Sequence, residues 1–209
     1  IVLSAATITA EKESRCWPLL LTTTLPDNHI LAAKIAGVLR RTWPLWLPIV
    51  LHSIVFVLFM RLRPAAVVHV TLLALAALVF TLGLGLYFSA RLRRTTAALV
   101  VTFAVIASLW GLVPLTVRLA TVVLGQFDSP VVEVLHGLSP VVQATVLSAG
   151  NVVHGELWPM AKPARYVWFH RDVALGATTL RMLLYSGLYA SAGVLLVWRA
   201  RCRFRRDVF

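Results

Sequence analysis

Four apolar runs, each close to the length a helix needs to cross a bilayer, are set along this chain with arginines at most of their ends. The first covers residues 43–60, between Arg40-Arg41 and Arg61 with Arg63. The second covers 65–90 and is broken only by His69 and the pair Gly83 and Gly85. The third covers 96–124, is longer than a span requires, and is interrupted at Pro114, which predicts a bend or re-entry of its outer part. The fourth covers 178–198. Backbone polar groups in hydrocarbon must be satisfied internally, so continuous apolar runs of this length predict helices.

Composition agrees. Of 209 residues, 59% are hydrophobic and 13% charged, with a mean hydropathy of +0.84, against roughly 25% charged in soluble domains. One soluble core has no room for so much apolar surface. The net charge of +12 comes from short arginine runs at the ends of apolar stretches rather than from a basic face on a polar domain. Membrane lipid, not nucleic acid, is the expected partner of such runs, because anionic head groups attract each arginine by about 1 kcal/mol. Cys16 and Cys202 are far apart and lie in no CxxC or Cys/His cluster, so no disulfide framework is expected.

The bias of Arg and Lys orients the runs. Lys12, Arg15, Lys34, Arg40 and Arg41 fall on the same side as Arg91, Arg93, Arg94 and the tail Arg199, Arg201, Arg203, Arg205 and Arg206. That side is expected to be cytoplasmic. The reading is an all-α integral membrane protein of about four transmembrane helices, with a cytoplasmic helix-turn-helix and short outer-face helices. Its parts are 1–42, the end of a preceding span and a cytoplasmic segment; 43–124, three spans; 125–177, an extracytoplasmic segment with short amphipathic helices; and 178–209, the last span and a basic tail. Within 1–42 the break is expected at Leu25-Pro26, where proline disfavours helix before it and Asp27 or Asn28 can cap the helix that follows. The opening residues IVLSAATITA read like the tail of a helix already under way.

No P-loop GxxxxGK[ST] occurs, so nucleotide is expected to be bound by a partner and no cofactor on this chain. GLGLYF at 83–88 lies inside an apolar run, where its glycines read as close helix packing. His136, His154 and His170 share the outer segment with Glu133, Glu156 and Asp172, which makes a zinc-dependent membrane hydrolase an alternative reading. Their spacing matches no ligand motif, HGELWP lacks the second histidine of HExxH, and no metal site is assigned. His52 and His69 lie in spans, where ionisable groups are candidates for a transport pathway. No carboxylate occurs between Asp27 and Asp128, nor in the fourth run. Ion-coupled carriers place Asp or Glu at mid-membrane despite a cost of about 2.5–3.5 kcal/mol, so energy from a partner is favoured. A non-catalytic membrane scaffold is the remaining alternative.

The segment TITAEKESRCWPLLLTTTLPDNHILAAKIAGVLRR resembles the region before the third span in permease subunits of the ABC-2 family of ABC transporters. Glu11 and Glu13 stand at that family's acidic positions, Leu20 and Leu21 at its Leu pair, Thr23 and Leu25 flank the turn, and Ile30 and Lys34 follow at matching spacing. GLYFSARLRRTTAA and the LSP at 138–140 resemble further family junctions. Cys16 stands where Thr is common, Thr24 replaces the usual Pro, and Ala33 replaces Gly. The resemblance implies a multi-pass permease of a bacterial inner membrane that lacks its first two spans here. It also implies an ATP-binding ABC subunit as partner and a dimer with a second permease copy or homologue. Glu11, Glu13, Arg15, Trp17, Leu20, Leu21, Thr23, Asp27 and Lys34 would then form the ATPase-coupling interface, with Trp17, Leu20 and Leu21 as its apolar anchor.

Overall fold

The computed structural model describes residues 1–14, 26–59, 63–124, 130–151, 165–168 and 171–203. Their elements are α1 (Val2–Ala6), α2 (Thr9–Glu13), α3 (Asp27–Leu58), α4 (Pro64–Arg91), α5 (Thr95–Ala107), a π-helical stretch (Ser108–Leu112), α6 (Val113–Leu124), α7 (Pro130–Gly137), α8 (Pro140–Asn151), β1 (Arg165–Trp168), β2 (Arg171–Ala174) and α9 (Leu175–Arg203). Four helices are long and apolar enough to cross a membrane: Asn28–Leu58, Pro64–Arg91, Thr95–Val123 and Leu175–Cys202. The four expected runs thus all form helices. The cytoplasmic helix-turn-helix falls partly on residues 15–25, outside the described residues.

Each helix has a local cause. The Pro26 carbonyl accepts the N–H groups of His29 (2.9 Å) and Ile30 (3.4 Å), so α3 starts at the expected break. It then continues through Pro44 and Pro48 without interruption. Pro64 opens α4, a first-turn position at which its missing N–H costs nothing. In the third run the disturbance takes the form of the π turn Ser108–Leu112 just ahead of Pro114, after which the helix resumes.

The chain forms two compact units, one of Ile1–Pro44, Leu78–Ile106 and Tyr189–Phe209, the other of Leu45–Ala77 and Ala107–Leu188. In the first, Ile8, Ile30, Leu31, Val38, Leu82, Leu86, Ala90 and Ala200 make the buried core. Glycine lets two helices touch there. A Cβ on Gly83 would sit 2.3 Å from the Gly193 carbonyl oxygen, and one on Gly193 would sit 2.5 Å from that of Val79. A Cβ on Gly85 would meet the Ser4 hydroxyl at 2.1 Å. The Gly83 and Gly85 pair is therefore a packing device, as its setting in an apolar run implied.

In the second unit the core is Leu147, Tyr166, Trp168 and Met182, with Leu72, Leu73, Val146, Val173 and Tyr185 around it. Tyr166 and Trp168 come from β1, which pairs antiparallel with β2 in the register Tyr166 with Val173 and Val167 with Asp172. This hairpin lies where only short helices were expected. Its alternation is visible in burial: Tyr166 and Trp168 face the core while Val167 between them is 58% exposed. Gly150 makes room for the Tyr166 ring, which a Cβ would approach to 2.2 Å. The other expected outer-segment helices are present as α7 and α8, bent by 89° at their junction. Side chains across the long helices remain exposed, among them Leu47, Leu58, Val100, Leu184 and Leu195, as suits helices whose surroundings are hydrocarbon.

Candidate functional site

The first candidate is built on one turn of helix, Thr9–Glu13, of sequence TAEKE. A helix this short is marginal by itself; this one is held by its neighbours. At its start the Ser89 hydroxyl oxygen accepts the N–H groups of Ile8 (2.9 Å) and Thr9 (3.0 Å), taking the role of a capping side chain supplied from α4. Three consecutive charged residues then engage three different long helices. Glu11 forms an ion pair with Lys34 of α3, and Lys34 also donates to the Thr7 carbonyl at 3.3 Å. The Lys12 ammonium donates to the carbonyls of Ser89 (3.4 Å), Ala90 and Leu92 (3.4 Å), where the dipole of α4 presents its negative end. The Glu13 carboxylate accepts the N–H of Thr95 at 2.7 Å and its hydroxyl at 2.9 Å, at the positive end of α5. The backbone bond from Thr95, then its hydroxyl bond, then the charge of Arg94 hold the Glu13 carboxyl below the usual carboxylate range.

Of the expected coupling residues, Glu11, Glu13 and Lys34 are therefore brought together around α2 and occupied within the chain. Asp27 is the first residue of α3. Arg15, Trp17, Leu20, Leu21 and Thr23 lie outside the described residues. Lys12 and Ser89 have equally direct roles that the sequence reading did not assign. No local signal marks these roles, because the residues that Lys12 and Ser89 meet lie about 80 positions away in the sequence.

The second candidate lies in the other unit. His69 on α4 is 1% exposed, with Nε2 2.9 Å from the Thr179 Oγ1. That hydroxyl also lies 2.9 Å from the Leu175 carbonyl, to which it donates. Nδ1 is buried and without a hydrogen-bond partner among the described residues. The Tyr166 ring stands edge-on to the imidazole at 6.0 Å. Nearby in the same core, Trp168 donates to the Thr178 hydroxyl at 3.2 Å, and the Arg181 guanidinium lies 5.8 Å from the Trp168 ring centre while pairing with Glu133 of α7. His52 is placed differently, exposed on α3 with its ring 4.4 Å from that of Phe56. Of the two pathway candidates, only His69 is inside a polar cluster.

The outer-segment acids and histidines are dispersed in role. Glu133 is committed to Arg181, the His136 ring hydrogen-bonds the Pro114 carbonyl, and Asp172 sits in β2. His154, Glu156 and His170 lie outside the described residues. Among the described residues no three His, Cys, Asp or Glu side chains gather as a metal site would require. No family model, no curated protein and no solved structure matches the chain.

Proposed function

We propose that this chain is the membrane-spanning subunit of an ATP-driven transporter, an exporter similar to ABC-2 permeases, in which a separate ATPase subunit docks on the segment around residues 8–34. In this reading the N-terminal region and the arginine tail face the cytoplasm. Two such subunits, identical or homologous, enclose the pathway, and the ATP chemistry belongs to the partner.

The observation that carries the reading is the arrangement around α2. Glu11, Lys12 and Glu13 fasten a single helical turn to α3, to the end of α4 and to the start of α5. A push on such a turn moves three long helices together, which is what a coupling element needs in order to turn closure of a partner into tilting of spans. Because Glu11, Glu13 and Lys34 are engaged internally, they act in this reading as the transmission. Contact with the ATPase is left to Trp17, Leu20 and Leu21.

Co-purification with an ATPase encoded beside the gene tests the docking step. The double change Leu20→Asp and Leu21→Asp is expected to release the ATPase, and retention of it in full would overturn the docking claim. Lys12→Met tests transmission: the ATPase stays bound while transport falls, so a variant that transports at the normal rate counts against the lever.

A further inference from the structure

In the first unit, α4 and α9 bring two arginine clusters to one place. Glycine sets these helices side by side: a Cβ on Gly83 would sit 2.3 Å from the Gly193 carbonyl oxygen, and the Phe80 ring stands 5.0 Å from that of Tyr189. Residues 80 and 83 of one helix meet 189 and 193 of the other, so the two run parallel. Seven residues further on, roughly 10 Å of helix rise, Ala90 and Ala200 are buried in the same core. Next to this pair Arg91, Arg93, Arg199 and Arg201 are all exposed. Arg91 gives one N–H to the Tyr87 hydroxyl at 3.1 Å, and among the described residues none of the four is in an ion pair. Nearby Arg94 is answered by the Glu13 carboxylate.

We infer that the ends of α4 and α9 together bind one lipid carrying two phosphates joined by a short bridge, one phosphate against Arg91 and Arg93, the other against Arg199 and Arg201. Charge selects phosphate, because four exposed cations here have no carboxylate to meet them. Residue type selects it too: all four are arginines, whose planar fork matches a phosphate with two parallel hydrogen bonds where lysine offers a point charge. Any arginine run at a span end attracts anionic lipid. The packing adds that two runs far apart in the sequence end side by side, on helices whose axes lie ~8–10 Å apart, so one ligand with paired phosphates reaches both. Position selects a lipid. The arginines follow the apolar runs 65–90 and 178–198, and Trp198 beside them is 56% exposed, as tryptophan is at head-group depth. The inference rests on the membrane placement of the helices and not on the ATPase partner.

The test is lipid binding to the purified, delipidated full chain in detergent, read by native mass spectrometry with cardiolipin, phosphatidylglycerol and phosphatidylcholine as probes. Cardiolipin has the paired phosphates, phosphatidylglycerol one anionic phosphate, and phosphatidylcholine no net charge. A single cardiolipin is expected to bind about tenfold tighter than phosphatidylglycerol, with phosphatidylcholine weakest. Two double variants, Arg91→Gln with Arg93→Gln and Arg199→Gln with Arg201→Gln, each remove the partners of one phosphate. Each is expected to lower cardiolipin to about the level of phosphatidylglycerol while leaving the thermal midpoint unchanged. Arg40→Gln with Arg41→Gln removes the same charge from exposed positions of α3 and leaves the cardiolipin preference intact. Cardiolipin bound no tighter than phosphatidylglycerol, or retention unaffected by both test pairs, overturns the proposal. So does an equal loss in the α3 control, which would make the effect one of overall charge. Displacement of cardiolipin by inorganic pyrophosphate would give the arginines to a soluble diphosphate and overturn the lipid assignment. Since no ATPase is present in the assay, failure here leaves the transporter reading standing.

Discussion

The carboxylate of Glu13 receives both the backbone N–H and the hydroxyl of Thr95, at 2.7 and 2.9 Å, and so closes the open end of α5 from a residue 82 positions earlier in the chain. Neighbouring Lys12 does the converse for α4, placing a cation on its terminal carbonyls. One dipeptide thus completes the end of one long helix and the start of the next.

The Glu13 contact predicts a pH dependence. Its carboxyl is held below the ordinary value of 4.5 by Thr95, so the folded state binds its proton less tightly than the unfolded chain. The stabilisation is fully present above that ordinary value and is lost as pH falls through the lowered one. Thermal midpoints of the wild type and of Glu13→Gln in detergent are expected to differ at neutral pH and to converge in acid. The difference also shrinks in high salt, because the carboxylate is exposed and screened. A constant gap across the whole pH range would refute the assignment.

The contact of Gly83 with Gly193 predicts a steep size dependence. Adding one methyl group at Gly83 puts it 2.3 Å from a backbone oxygen that has no rotamer to escape by. Gly83→Ala and Gly193→Ala are each expected to cost about 1–3 kcal/mol, the range for overpacking a tight contact. Gly187, on the same α9, has nothing within 4 Å of a new Cβ. Gly187→Ala is therefore neutral or slightly stabilising through helix propensity. Unfolding titrations of the three variants check this, and equal losses at all three would refute the close approach.

How far these features could be read in advance follows from their sequence range. The four long helices needed only run length and flanking arginines, and the start of α3 needed only Pro26. That Gly83 and Gly85 pack closely was legible because they are the two glycines of the apolar run 65–90. The hairpin was not, because Arg165–Trp168 offers just four residues of alternation, too few to stand out from a polar loop. The Glu11, Lys12 and Glu13 ties join residues as much as 82 positions apart, so Glu11, Glu13 and Lys34 could be singled out while Ser89 and Thr95 could not be matched to them. Ser89 becomes a cap for α2, and Thr95 is capped by Glu13, only through packing.

Glu133 and Arg181 tie α7 to α9, and their energetics differ from those of the exposed Glu13. Their side chains keep 17% and 33% exposure respectively, so removing one leaves the other largely desolvated. Arg181→Met is expected to cost about 2 kcal/mol, below the 3–5 kcal/mol of a fully buried pair because a third of the arginine remains exposed. Adding Glu133→Gln to that variant should return part of the loss, since the stranded carboxylate is then gone. Denaturant titration of the two singles and the double decides it; strictly additive losses would show that the pair is not coupled.

At the junction of α7 and α8 a hydroxyl reaches the helix that carries Pro114. Pro114 has no N–H to give the Trp110 carbonyl four residues earlier, and the Ser139 hydroxyl donates to that carbonyl instead, at 2.8 Å. Gln143 secures the same corner by donating to the Gly137 carbonyl at 2.7 Å. Ser139 is 1% exposed, so no water readily replaces it, and Ser139→Ala is expected to cost about 1 kcal/mol, the net worth of one intramolecular hydrogen bond. Pro114→Ala supplies the missing N–H from within the helix. In that background the cost of Ser139→Ala should fall to half or less, a coupling that a double-mutant cycle measures directly. If Ser139→Ala costs the same with Ala as with Pro at position 114, the hydroxyl is not standing in for the lost helical bond.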